Sequence, residues 1–181
     1  CRFCNSGNLK KVIDYGMVPL ANGYKKTIGN LTYPLRVFQC NSCGLVQLLE
    51  MVNPKLLYSK YAYLTSASYP LVKYYRDVAS HLTRKLELAR ESSVLEVGCN
   101  DGTFLRNFTN CVNCDGIDPS ENSYRLCKGE GVSIQKCFFE NAMIHKRYDL
   151  IYCSNSFAQM NDPAGFIRDC SGDMLKTDGT L

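Results

Sequence analysis

The sequence predicts an α/β fold, with a small β-rich metal-binding module leading into a parallel sheet with crossover helices. Three observations predict it. Two Cys-x-x-Cys pairs, Cys1/Cys4 and Cys40/Cys43, bracket strand-like stretches at 9–15 and 33–39. Further on, an apolar strand runs into a glycine-bearing turn and a helical start. Strand-like and helix-like segments then alternate to the end of the chain.

The N-terminal module is read from its thiols. Two cysteines separated by two residues form a tight knuckle with both sulfurs on one side, and two such knuckles give a tetrahedral sulfur set that suits zinc. Asn5-Ser6-Gly7 and Asn41-Ser42-Cys43-Gly44 give each knuckle a small turn-forming exit, and a third strand is expected at 45–49. The segment holds no His, so Cys1, Cys4, Cys40 and Cys43 are expected to hold a structural metal rather than a catalytic one. A module this small has little core, so the metal should carry much of its stability. The lone pair Cys111/Cys114 lacks partners and precedes a strand, which favours burial.

A connector follows. Tyr58, Tyr61 and Tyr63 crowd a loop, where they can act as a lid or as hydroxyl donors to a ligand. Leu71, Tyr75, Val78, Leu82 and Leu86 recur at helical spacing, and Pro70 suits the first turn of that helix.

In the C-terminal part, Val94-Leu95-Glu96-Val97 is a strand with one acid. Gly98 and Gly102 allow close approach of the backbone to a ligand, and a helix is expected from Thr103. There is neither a GxGxxG fingerprint nor a Walker lysine, which disfavours pyrophosphate. A second strand at 114–117 ends in Asp118, placed to accept both ribose hydroxyls of an adenosine. A helix over 121–129, a third strand at 132–135, a fourth at 148–153 and a helix begun by Asp162-Pro163 complete the alternation.

Leu95-Glu96-Val97-Gly98-Cys99-Asn100-Asp101-Gly102 resembles motif I of the class I S-adenosylmethionine-dependent methyltransferases. Gly116-Ile117-Asp118-Pro119-Ser120 resembles their ribose-binding segment, and 175–181 is similar to their turn into the fifth strand. The whole chain resembles the zinc-containing C-methyltransferases of nucleotide-linked 4-keto-deoxysugars. Cys1-Arg2-Phe3-Cys4, Pro19-Leu20-Ala21-Asn22, the segment 40–47 and Tyr61-Ala62-Tyr63 carry that likeness.

The resemblance implies an incomplete Rossmann-like methyltransferase domain behind a β-rich zinc-binding domain. It implies S-adenosylmethionine and Zn2+ as cofactors and a nucleotide-sugar substrate. It assigns cofactor contacts to Glu96, Gly98, Asn100, Asp101, Gly102, Asp118 and Pro119, with Phe138 or Phe139 against the adenine and Asn155 near the methionine moiety. Tyr63 and Gln159 match family positions at the reacting centre. Gln159 stands where members commonly carry His, and an amide can hydrogen-bond but cannot serve as a base. The family's proposed base lies in a portion outside this chain.

The expected organisation is a zinc ribbon over 1–57, a connector over 58–91 and the cofactor domain from 92 to 181. The chain opens on Cys1 without a signal-like apolar stretch, and is expected to start inside a longer gene product. It is expected to stop at the fifth strand, leaving an open sheet edge prone to aggregation. The net charge of +4, with scattered Lys and Arg, argues against a nucleic-acid partner. No apolar run reaches the ~20 residues of a membrane span. Eleven cysteines, an odd count without a secretory leader, favour a reducing cytoplasm over a disulfide framework.

Overall fold

A computed structural model of the chain describes residues 1–20, 31–108, 111, 113–127 and 132–181. Ala21 and Asn22, and the end of the expected 121–129 helix, lie outside the described residues.

The N-terminal module is an antiparallel sheet of β1 (Leu9–Pro19), β2 (Thr32–Cys40) and β3 (Val46–Leu48), in that order. Its register builds the metal site. Leu9 pairs with Cys40, so the knuckle that precedes β1 lies beside the knuckle that follows β2. Asn41 reinforces this, donating its backbone N–H to Asn8 O over 3.0 Å and its side-chain amide to Asn8 Oδ1 over 2.9 Å. Only Cys40 and Gln47 are buried among the described residues of this sheet and its knuckles.

The short helix α1 (Pro54–Tyr58) and the long α2 (Tyr69–Lys85) form the connector. Pro70 sits in the first turn of α2 and Arg84 and Lys85 in the last, where cations oppose the helix dipole. The stripe read from the sequence packs as expected: Tyr75 is buried, and Leu71, Val78, Leu82 and Leu86 close over the same cluster.

The second sheet is parallel throughout: β4 (Ser93–Val97), β5 (Asn113–Ile117), β6 (Ser133–Gln135), β7 (Tyr148–Tyr152) and β8 (Leu175–Thr180), in the spatial order β6-β5-β4-β7-β8. Its helices are α3 (Glu121–Cys127) and α4 (Pro163–Asp169). Asp162 caps α4 by accepting from Gly165 N over 2.8 Å. Along β4 every residue is buried, and alternate side chains enter opposite cores. Val94 joins Tyr75, Ala79 and Phe104 on one face, while Leu95 and Val97 join Ile151 and Phe166 on the other. This is a Rossmann-like arrangement, a parallel sheet wound outward in both directions from β4.

Two elements differ from expectation. The helix expected from Thr103 is one 3-10 turn, Leu105–Asn107. The Asn107 amide donates to the carbonyls of Thr103 and Phe104, over 2.8 and 3.1 Å, replacing backbone donors that would extend a helix. The segment expected as a turn into the fifth strand is already strand, with Tyr148 beside Leu175 and Leu150 beside Thr180. Cys111 and Cys114 are both buried, and burial pushes the Cys114 thiol up to about 11.

Candidate functional site

β4 is the first strand of its sheet, and successive strands leave it in opposite directions: β5 on one side, β7 on the other. A crevice opens beyond the carboxyl ends of strands at such a switch point. A cavity of about 600 Å3 occupies it, within the usual size range of small-molecule sites.

Gly98 leaves β4 with φ +79°, a left-handed conformation, and Asn100 follows with φ +47°. This turn aims backbone N–H groups at the tip of β5. Asn100 N donates to Asp118 over 2.9 Å, and Ser120 N donates to the other carboxylate oxygen over 2.9 Å. Each oxygen keeps a further lone pair for a ligand hydroxyl. Burial pushes the Asp118 carboxyl up against the pull of these donors.

Glu96 lies on the same wall, and its Oε2 is buried with no protein partner. Burial, with Asp118 and Asp101 nearby, holds its carboxyl well above the usual range. A buried carboxylate without a donor is costly, and a ligand carrying N–H groups or positive charge would satisfy it.

The connector crosses the mouth as a strap stitched through its backbone. Asn100 Nδ2 donates to Tyr63 O over 3.0 Å, and Asn100 Oδ1 accepts from Thr65 N over 2.8 Å. Asp101 accepts from Ser66 N over 2.9 Å. Tyr61 O accepts from Asn122 Nδ2 over 3.1 Å. The tyrosines pack in series, Tyr58 on Tyr61 at 5.7 Å and Tyr61 on Tyr63 at 6.1 Å between ring centroids. Burial raises the Tyr58 and Tyr63 phenols, so both keep their protons at neutral pH and can donate.

Glu96, Gly98, Asn100, Asp118, Pro119, Phe138, Phe139, Asn155, Tyr63 and Gln159 all line this cavity. Phe139 is committed to Phe166, edge to face at 4.7 Å. Asp101 and Gly102 stand outside the residues that line this cavity, each engaged by protein. Asp101 is buried under the strap; burial alone would raise its carboxyl, but donors from Ser66 and Thr103 hold it below the usual range. A Cβ at Gly102 would meet Cys127 Sγ at 3.0 Å, so this glycine serves packing against α3. The space at Gly98 is also taken by protein: an added Cβ would lie 2.6 Å from Ser156 Cβ.

Ser156 was not singled out from the sequence, and Tyr58 was read as a donor to a ligand rather than to Gln159. Ser156 Oγ donates to Val97 O over 2.6 Å, and Tyr58 donates to Gln159 Oε1 over 3.0 Å. The N-terminal sheet was likewise expected only to hold metal, yet Val18, Tyr33, Pro34 and Leu48 complete the cavity wall.

At the far end of the module, the four thiol sulfurs lie within 4.8 Å of one another. Cys1 and Cys43 sulfurs are 3.7 Å apart, and those of Cys4 and Cys40 are 3.6 Å apart. A zinc–sulfur bond of about 2.3 Å in a tetrahedron sets sulfur pairs about 3.8 Å apart, so this set fits zinc. Cys40 is lowered to about 7: burial opposes ionisation, but the Cys43 and Ser42 backbone N–H groups and the neighbouring thiols outweigh it. The other ends of the knuckles are closed by Asn5 N to Cys1 O at 3.0 Å and Gly44 N to Cys40 O at 2.8 Å.

The fold and its crevice define a Rossmann-like methyltransferase domain carrying a four-cysteine metal ribbon. The chain belongs to the methyltransferase domain family, which matches residues 71–181. Residues 1–58 match the family described as "Putative zinc binding domain". The C-methyltransferase NovU of Streptomyces niveus is 27% identical over 190 residues, covering 99% of this chain and 45% of that protein. The chain therefore spans less than half the length of that relative. The YcgJ protein of Bacillus subtilis shares the fold, with a TM-score of 0.50 at 20% identity over 57% of this chain and 47% of that one. S-adenosylmethionine and zinc are the cofactors of this architecture.

Proposed function

We propose that this chain is the methyl-donor portion of an S-adenosylmethionine-dependent C-methyltransferase whose acceptor is a nucleotide-linked 4-keto-deoxysugar. The observation that carries the reading is the Asp118 carboxylate, docked on the Asn100 turn at the switch point near Glu96, whose buried Oε2 has no protein partner. The likeness to a C-methyltransferase along 99% of this chain supports the carbon acceptor.

Bound there, S-adenosylmethionine supplies an electrophilic methyl on a sulfonium. Asp118 accepts the ribose hydroxyls, Phe138 and Pro119 flank the adenine, and Glu96 and Asn155 hold the methionine end. Gly98 and Asn100 shape the turn between them. Tyr63 lines the cavity and is protonated at neutral pH, which supports it as the donor to the developing oxyanion beside the acceptor carbon. Gln159 holds Tyr58 and orients rather than abstracts. The proton is taken by a base outside these residues.

The zinc ribbon over 1–57 supplies the acceptor-side wall, the connector over 58–91 the strap, and 92–181 the donor site. The acceptor is a small molecule, with no nucleic-acid or membrane partner, and the reduced thiols suit the cytoplasm. No described helix is long and apolar enough to cross a membrane.

The test is methyl transfer from labelled S-adenosylmethionine by the full-length gene product to a panel of 4-keto-deoxysugar nucleotides. Label in a carbon-bound methyl supports the reading, and no transfer to any of them overturns it. The Gln159 amide supports one second reading, a cofactor-binding protein without turnover. Tight S-adenosylhomocysteine binding with no transfer would favour that reading.

A further inference from the structure

The loop that follows β7 carries Asn155 and Gln159 into the cavity, yet it has little structure of its own. Its one regular feature is a 3-10 turn, Phe157–Gln159, and Phe157, Ala158 and Gln159 are exposed. Three tethers from distant parts of the chain hold it. Ser156 Oγ donates to Val97 O at the end of β4, over 2.6 Å. Tyr58 donates to Gln159 Oε1 over 3.0 Å. Arg2 Nη1 donates to Met160 O over 3.1 Å, across 158 residues of sequence.

The third tether begins inside the metal knuckle. Arg2 lies between the ligands Cys1 and Cys4, so the same backbone that presents the sulfurs fixes the root of its side chain. Its own N–H donates to Gln47 Oε1 over 2.9 Å, and Gln47 is 4% exposed. Met51 Sδ lies 3.9 Å from Nη1 and confines the guanidinium further. Arg2 Nε is buried with no protein partner. A guanidinium pays desolvation for this placement while making one main-chain bond, which marks it as a group held for position. Met160 ends the 3-10 turn, so the bond fixes where that turn stops.

We propose that Arg2 is a positioning residue that ties residues 156–160 to the metal knuckle, so that an ordered four-cysteine site is needed to set the acceptor end of the cavity. In this role the ribbon does more than add wall to the crevice. The kinetic consequence rests on the methyltransferase reading; the mechanical link does not.

The experiment compares the full-length gene product with its Arg2→Ala and Arg2→Lys variants. Zinc content is measured first, and one zinc per chain is expected in all three. Amide hydrogen exchange over 156–161 is then read against β4 as an internal reference. In metal-replete Arg2→Ala, exchange there rises about tenfold while β4 is unchanged, and Arg2→Lys restores part of the protection. S-adenosylhomocysteine affinity stays within about twofold, while kcat for methyl transfer falls about tenfold or more, the split expected when a loop near the reacting centre is misplaced. Unchanged exchange in a metal-replete Arg2→Ala protein overturns the proposal. If that variant loses zinc, metal-replete Arg2→Gln replaces it under the same criterion. Failure of the wild-type protein to bind S-adenosylhomocysteine would instead sink the methyltransferase reading, and the exchange comparison would still decide the role of Arg2.

Discussion

The backbone N–H of Asn100 donates to the Asp118 carboxylate over 2.9 Å, joining the turn after β4 to the tip of β5. The bond sets the width of the crevice before any ligand arrives. With Ser120 N on the other oxygen, the carboxylate cannot swing away. A pre-placed acceptor loses little freedom on binding, which is how a site gains affinity without new contacts.

Asp118→Ala should therefore fail twice. It removes the acceptor proposed for the ribose and leaves the N–H groups of Asn100 and Ser120 unpaired. Calorimetry with S-adenosylhomocysteine should show affinity reduced tenfold or more, equivalent to about 1.4 kcal/mol. Urea unfolding should show a loss of about 1–3 kcal/mol from the orphaned donors. A folded variant that binds as tightly as wild type would remove Asp118 from the cofactor site.

At Gly98 the argument is steric. A Cβ would strike Ser156 at 2.6 Å, and the left-handed φ of +79° strains any other residue. Gly98→Ala should cost about 1–2 kcal/mol for the backbone conformation alone, with more for the displaced Ser156. Adding Ser156→Gly removes the collision but not the conformational cost, so the double variant should recover part of the loss. A double-mutant cycle in urea reads this directly, and strictly additive losses would contradict it.

Glu96 gives a pH signature. Its folded carboxyl holds a proton to higher pH than the unfolded one, because burial disfavours the charged form. The stability tied to this group is complete below the ordinary carboxyl range and is lost as pH rises through the folded value. In cofactor-free protein, Glu96→Gln should gain on wild type as pH climbs from about 4 toward the raised folded value, and the gain should level off beyond it. Unfolding at a series of pH values checks this, and a constant difference between the two proteins would count against it.

These cases show what a linear sequence discloses. The place of Asp118 at a strand tip was legible because a strand ending in an acid has a local pattern, and the clustering of the paired cysteines because their spacing is itself the geometry. The protein partners of Asp101 and Gly102 were not legible, since motif letters do not say which way a turn faces; Asp101 accepts from the strap and Gly102 packs on Cys127. The helix after Thr103 failed because the Asn107 side chain takes carbonyls that a helix would need. Arg2 and Met160 carry no local sign of each other, since only the folded chain brings them together.

The metal ribbon supplies the last prediction. From Lys10 to Met17 every side chain of β1 is exposed, and the module's described buried residues are Cys40 and Gln47. Burial of that extent cannot offset the entropy of ordering the strands. Zinc bound by four thiolates contributes about 10–16 kcal/mol in comparable small modules, enough to reverse the balance. Cys40→Ser should thus lose zinc and let β1 and β2 exchange their amides freely. The core around Leu95 and Ile151 should stay protected, because its packing does not include the ribbon. Cys114→Ala, which removes a buried thiol of the α/β half, should keep a full complement of zinc. Metal analysis with hydrogen exchange on both variants separates the cases: a Cys40→Ser protein that retains zinc and a protected β1–β2 ladder would show that the strands stand without the metal.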